Sequence, residues 1–102
     1  MDKYRIIAEQ VSAYVRNTAW LPESFKSEEN KGNLNHIIQI ATSIKLQQFG
    51  IQNGGGFVNA VLENNLGRAI EYADTEIYQC LKTMIQVRDW CQITGITNEQ
   101  SE

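Results

Sequence analysis

The amino-acid sequence predicts an all-α protein, a compact bundle of about four helices. Three observations carry this. Apolar residues recur at three- and four-residue steps over four stretches, the spacing of one helical face. The single proline, Pro22, and all but one of the glycines inside the bundle fall between or at the ends of those stretches. No stretch alternates apolar and polar residues over a convincing strand length. The 102 residues, 42% hydrophobic and 21% charged, suffice for one small core, so 1–102 reads as a single helical domain.

The first helix is expected over about 2–18. Tyr4, Ile7, Ala8, Val11, Tyr14 and Val15 repeat at helical spacing, and Asp2 is placed to cap the start. Trp20-Leu21-Pro22 stops it, because the residue before a proline is driven out of the α region. The segment 19–32 reads as a linker whose charged part, Lys26 to Lys31, is mobile, while Trp20, Leu21 and Phe25 tuck onto the core.

The second helix is expected over about 33–49. Leu34, Ile37, Ile38, Ala41, Ile44 and Lys45 follow the 3.6 period, and Ile40 and Leu46 widen the arc enough for contact on two sides. Asn33 or Asn35 is a candidate cap, and Gly50 suits the left-handed residue just past the end.

Gly54-Gly55-Gly56 opens the third helix, expected over about 55–73. Val58, Leu62, Leu66, Ala69 and Ala73 form one line, broadened by Phe57 and Val61. Gly67 inside it marks a kink or a close helix approach, since a mid-helix glycine costs about 1 kcal/mol. The glycines are not a phosphate cradle: Phe57 and Val58 follow where such a loop needs Lys and Ser or Thr, and the dinucleotide fingerprint fails at Asn59. They read as a turn that lets the third helix start close to a neighbour. Asp74 caps a fourth helix, expected over about 75–94, with Ile77, Leu81, Met84, Val87 and Cys91 inward and Gly95 at its end. A polar tail, 96–102, completes the chain.

The remaining residues exclude more than they assign. A formal net charge of −3 disfavours a sequence-independent nucleic-acid binder, which depends on a basic surface. No secretory leader and no membrane-length apolar run is present, so the expected location is the cytoplasm, away from membranes. Cys80 and Cys91, eleven residues apart on the fourth helix, would lie ~16 Å apart along its axis. That is too far for a disulfide, so both read as reduced, small, buried residues, Cys91 being the better candidate for an intermolecular contact. His36, the one histidine, has no cysteine at metal-finger spacing and reads as a surface or capping residue. No catalytic, cofactor or metal motif emerges.

Asn59, Asn64 and Asn65 crowd the third helix although asparagine is a poor helix former; they are the candidate partner-binding residues. Tyr4, Ile6 and Tyr14 of the first helix are the candidate contacts with a second copy of the chain. The stretch Gly50-Ile51, then Gly55-Gly56-Phe57-Val58-x-Ala60-Val61-Leu62-x-Asn64-Asn65-Leu66-x-x-Ala69-Ile70-x-x-Ala73-Asp74, resembles small uncharacterised proteins of phages and other mobile elements. Their pattern is Gly-Ser/Gly-Phe-Leu/Val-x-Ala-Val-Leu-x-Asn-Asp-Leu with a closing Ala-Asp. The likeness spans about a quarter of the chain. Asn65 replaces the usual aspartate, Gln52-Asn53 stand where prolines are typical, and the first half through Lys45 lies outside it. The resemblance implies a helical protein of phage or mobile-element origin and brings no activity with it.

The reading is a non-enzymatic helical interaction or accessory protein that works with a protein partner and forms a homodimer. The alternatives are a small nucleic-acid-associated regulator, using Lys3, Arg5 and Arg16 at the first helix, and an enzyme using the carboxylates Glu63, Glu71 and Asp74.

Overall fold

A computed structural model describes residues 2–95; the polar tail expected over 96–102 lies outside the described residues. The fold is all-α, with no strand among the described residues, but it has six α-helices rather than four. They are α1 (Lys3–Asn17), α2 (Lys31–Gln48), α3 (Gly56–Leu62), α4 (Leu66–Tyr72), α5 (Thr75–Gln79) and α6 (Leu81–Asp89), with two 3-10 turns, Glu23–Lys26 and Glu28–Asn30, before α2.

The α1 helix starts as expected. The Asp2 carboxylate accepts from the backbone N–H of Tyr4 at 3.0 Å and of Arg5 at 3.4 Å. Ile7, Val11 and Val15, spaced by four, are fully buried against α2. The linker is anchored at Leu21 and Phe25, both buried. Trp20 is fixed by its backbone instead: its N–H donates to Gln86 Oε1 at 2.7 Å, and its carbonyl accepts from the Thr83 hydroxyl.

The central element is α2, about 27 Å long at the helical rise. It meets α1, α3 and α6, which explains its wide apolar arc. It begins at Lys31, directly off the second 3-10 turn, so neither Asn33 nor Asn35 caps it. Its end is a Schellman motif. Gly50 takes a φ of +73°, its N–H bonds the Gln47 carbonyl at 3.0 Å, and the Ile51 N–H bonds the Leu46 carbonyl at 2.9 Å.

The expected third helix is two. The same stop recurs with asparagine in place of glycine: Asn64 sits at φ +60°, its N–H bonds Val61 O at 3.1 Å, and the Asn65 N–H bonds Ala60 O at 2.8 Å. Asn65 then caps the next helix, its side-chain oxygen accepting from Arg68 N–H at 3.2 Å. One helix stops and another starts across only three residues, 63–65. Gly67 is therefore part of the first turn of α4, not a mid-helix kink. The break also redirects the line of apolar residues. Leu66, expected inward, is 52% exposed, and Ala69 is the one buried residue of α4.

The expected fourth helix is divided at Cys80, whose φ of −110° and ψ of 24° leave the α region, and it stops at Asp89, five residues short. The early stop is a tertiary effect. Trp90 leaves the helix and stacks on Tyr14, with ring centroids 4.3 Å apart and planes at 11°. The Lys45 ammonium reaches from α2 to the carbonyls of Arg88 (3.1 Å) and Trp90, capping the end of α6. Beyond it the chain passes beside α1, where Gln10 donates to the Thr94 carbonyl at 2.6 Å and accepts from the Thr94 N–H at 2.9 Å. Cys91 consequently leaves the helix and is exposed, not buried as the helical spacing suggested; Cys80 is buried, and both thiols are free.

The glycine turn is a packing device. A methyl group on Gly54 would lie 2.5 Å from Val58 Cβ, and one on Gly56 would lie 2.9 Å from the Tyr72 ring. Gln47 of α2 holds this turn from both sides, accepting from Gly54 N–H and donating to Asn59.

Candidate functional site

The three asparagines singled out in the sequence each have a structural bond. Asn59 accepts from Gln47. Asn64 makes the left-handed stop and accepts from Arg88 Nη1 at 3.1 Å, and the same nitrogen reaches the Val61 carbonyl at 3.1 Å. Asn65 is a cap. The turn between α3 and α4 is thus locked from α6 by one guanidinium. The three side chains do not converge on a cavity: Asn59 borders one small depression, Asn64 and Asn65 another.

The candidate dimer residues are also separated in role. Tyr14 spends its ring on Trp90 and Ile6 is half-buried, while Tyr4 is 46% exposed. Tyr4 stands at the rim of an open groove of about 690 Å³ between α1 and α2, together with Ser12, Arg16, Asn35, His36 and Thr42. The groove is bridged by Arg16, which donates to Ser12 Oγ and to Asn35 Oδ1, each at 3.1 Å. Arg5, the second cation considered for nucleic acid, pairs with Glu9 at 3.4 Å. Two of the three cations on α1 are therefore engaged within the chain.

The carboxylates divide as well. Glu63 faces Arg68 and Tyr72 in a depression beside α3, and Glu71 is exposed on α4. Asp74 turns instead to His36. Its Oδ1 accepts from Ile77 N–H at 2.8 Å as the cap of α5, and its Oδ2 lies 3.1 Å from His36 Nε2. Glu76, on the first turn of α5, adds a third donor, and one ligand atom from each of His36, Asp74 and Glu76 lies within 4.8 Å of the others. Sequence reasoning missed this group because His36 and Asp74 are 38 residues apart. Only the packing of α2 against α5 unites them, and the one local sign was the capping position of Asp74.

Two buried side chains have shifted ionisation. Burial pushes the Cys80 thiol up to about 11 against a smaller opposing hydrogen bond from Thr83, which keeps it protonated and unreactive. Burial lowers Lys45 from its ordinary value, opposed by the nearby Cys91 and Asp89.

The α4–α5 surface carries exposed apolar side chains. Leu66, Ile70 and Tyr72 of α4 and Tyr78 of α5 are 52%, 45%, 55% and 57% exposed. Leu66 and Ile70 are one turn apart and so share a face. Among the described residues no helix is long and apolar enough to cross a membrane. No family model, curated protein or solved structure matches the chain.

Proposed function

We propose that the protein is a non-enzymatic helical interaction or accessory protein whose α4 face docks a protein partner, in the first instance a second copy of the chain. One observation carries this. The seven residues of α4 bury a single side chain, Ala69, and turn Leu66 and Ile70, one turn apart, outward. A helix of that length has little stability of its own. It is held by the turn at Asn64 and Asn65 and by Tyr72 lying over Gly56, so its outward face is free to bind. Clustered apolar side chains on a small domain mark interaction surfaces. The first-helix contact expected from Tyr4, Ile6 and Tyr14 moves here because Tyr14 is already packed. The likeness of the Gly-Gly-Phe stretch to phage and mobile-element proteins supports an accessory role inside a cell.

Light scattering coupled to gel filtration tests the proposal at micromolar concentration. A dimeric mass that Leu66→Glu with Ile70→Glu converts to a monomer, helical circular dichroism being unchanged, is the expected result. A monomeric parent chain refutes self-association through this face.

A further inference from the structure

We propose that His36, Asp74 and Glu76 form a binding site for one divalent transition-metal ion of the zinc class, joining α2 to α5. The geometry fits. Zinc holds nitrogen and oxygen ligands at about 2.0–2.2 Å in a tetrahedron, which sets neighbouring donors about 3.3 Å apart. His36 Nε2 and Asp74 Oδ2 are already 3.1 Å apart, and Glu76 brings its oxygen within 4.8 Å of both. The third ligand needs only a modest swing of one glutamate side chain.

Asp74 is oriented for this task. Its Oδ1 is fixed by the Ile77 N–H at 2.8 Å, so the carboxylate keeps its plane while Oδ2 faces the imidazole. Such an outer hydrogen bond is what positions carboxylate ligands in metal sites. The charge balance points the same way. Among the described residues, the ion pairs formed by Lys and Arg involve Glu9, Glu23 and Asp89, and neither Asp74 nor Glu76. Two carboxylates therefore face one imidazole without a Lys or Arg ion pair among the described residues.

The imidazole sets the ion class. Magnesium and calcium favour oxygen-only cages, whereas one nitrogen with two carboxylates suits zinc, cobalt or nickel. On binding, neutral His36 carries its proton on Nδ1 and presents the Nε2 lone pair, so the contact that Nε2 now makes with Asp74 becomes a shared edge of the coordination sphere. Three protein ligands leave a fourth position for water. The ion would tie the five-residue α5 to the central helix, where the existing contact is slight.

The test uses the full chain, stripped with chelator, titrated calorimetrically with Zn²⁺ and spectroscopically with Co²⁺. The expected result is one ion per chain and a cobalt spectrum without the near-ultraviolet thiolate band, unchanged in Cys91→Ser. His36→Gln and Glu76→Gln should each weaken binding by about tenfold or more. Asp74→Asn should weaken it while leaving the helix cap intact, since asparagine caps as well as aspartate. Lack of saturable binding by either ion overturns the proposal. So does binding that His36→Gln leaves unchanged, or a thiolate band that Cys91→Ser abolishes.

Discussion

Replacing Asn64 tests how the α3–α4 turn is held. At φ +60° the backbone is left-handed, a conformation costing an ordinary L-residue about 1–2 kcal/mol, asparagine less and glycine nothing. The side chain adds one hydrogen bond from the Arg88 guanidinium at 3.1 Å, at an exposed position, worth about 0.5–1 kcal/mol net. Asn64→Ala loses the bond and gains conformational strain, about 1–2 kcal/mol in all. Asn64→Gly loses the bond but relieves the backbone, so it should fall within about 0.5 kcal/mol of the parent. For a domain of this size the alanine variant should melt about 4–16 °C lower at that loss. Urea unfolding with an unchanged m-value measures the difference. Equal stabilities for the alanine and glycine variants would refute the reasoning, because they would show that φ at this residue carries no cost.

The glycine turn and the buried lysine give two more predictions. Gly54→Ala sets a methyl against Val58 Cβ and should cost about 1–3 kcal/mol by overpacking, whereas Gly55→Ala enters open space at φ −94° and should be neutral or stabilising by up to about 1 kcal/mol; parallel denaturant titrations decide it. Lys45→Met keeps the chain length but leaves the Trp90 carbonyl without its donor and the Arg88 carbonyl with the Gln48 amide alone, a loss of about 1–3 kcal/mol at neutral pH. Because burial lowers the Lys45 pKa in the folded state, the folded protein sheds that proton before the unfolded chain does. Between the lowered value and the ordinary lysine value of about 10.4, the Lys45 contribution to stability therefore rises with pH. The stability gap between parent and Lys45→Met should widen over that alkaline window, and a gap that narrows there contradicts the assignment.

Much of the local punctuation was legible in the chain. The Asp2 and Asp74 caps, the left-handed Gly50, the anchored Leu21 and Phe25 and the packing role of the glycines all follow from short-range chemistry, and the structure has them. The helix count did not follow, for a physical reason. Val58, Leu62, Leu66 and Ala69 keep helical spacing straight through the Asn64–Asn65 stop, so periodicity alone is blind to a stop and restart that uses up only three residues. The paired asparagines were the available sign, since the first suits a left-handed residue and the second a cap. The end of α6 had no local sign at all. Trp90 departs for Tyr14, and Lys45 arrives from another helix, both through contacts remote in sequence. The same distance hid the meeting of His36 with Asp74 and Glu76.

The paired bonds between Gln10 and Thr94 make this chain nearly a ring. A side-chain amide there offers one donor and one acceptor to a passing backbone, as a neighbouring strand would, and it does so across 84 residues. A methyl group on Gly95 would come within 3.6 Å of Ile6, so the two described ends of the fold run side by side. Closing so long a loop costs chain entropy that grows only with the logarithm of its length, and the Tyr14–Trp90 stack and the buried Lys45 lie inside the closure. Loosening α1 withdraws Gln10, Tyr14 and Ile6 from the 90–95 segment, and loosening that segment withdraws the same contacts from α1. Opening of α1 and of the 90–95 segment is therefore expected to be coupled.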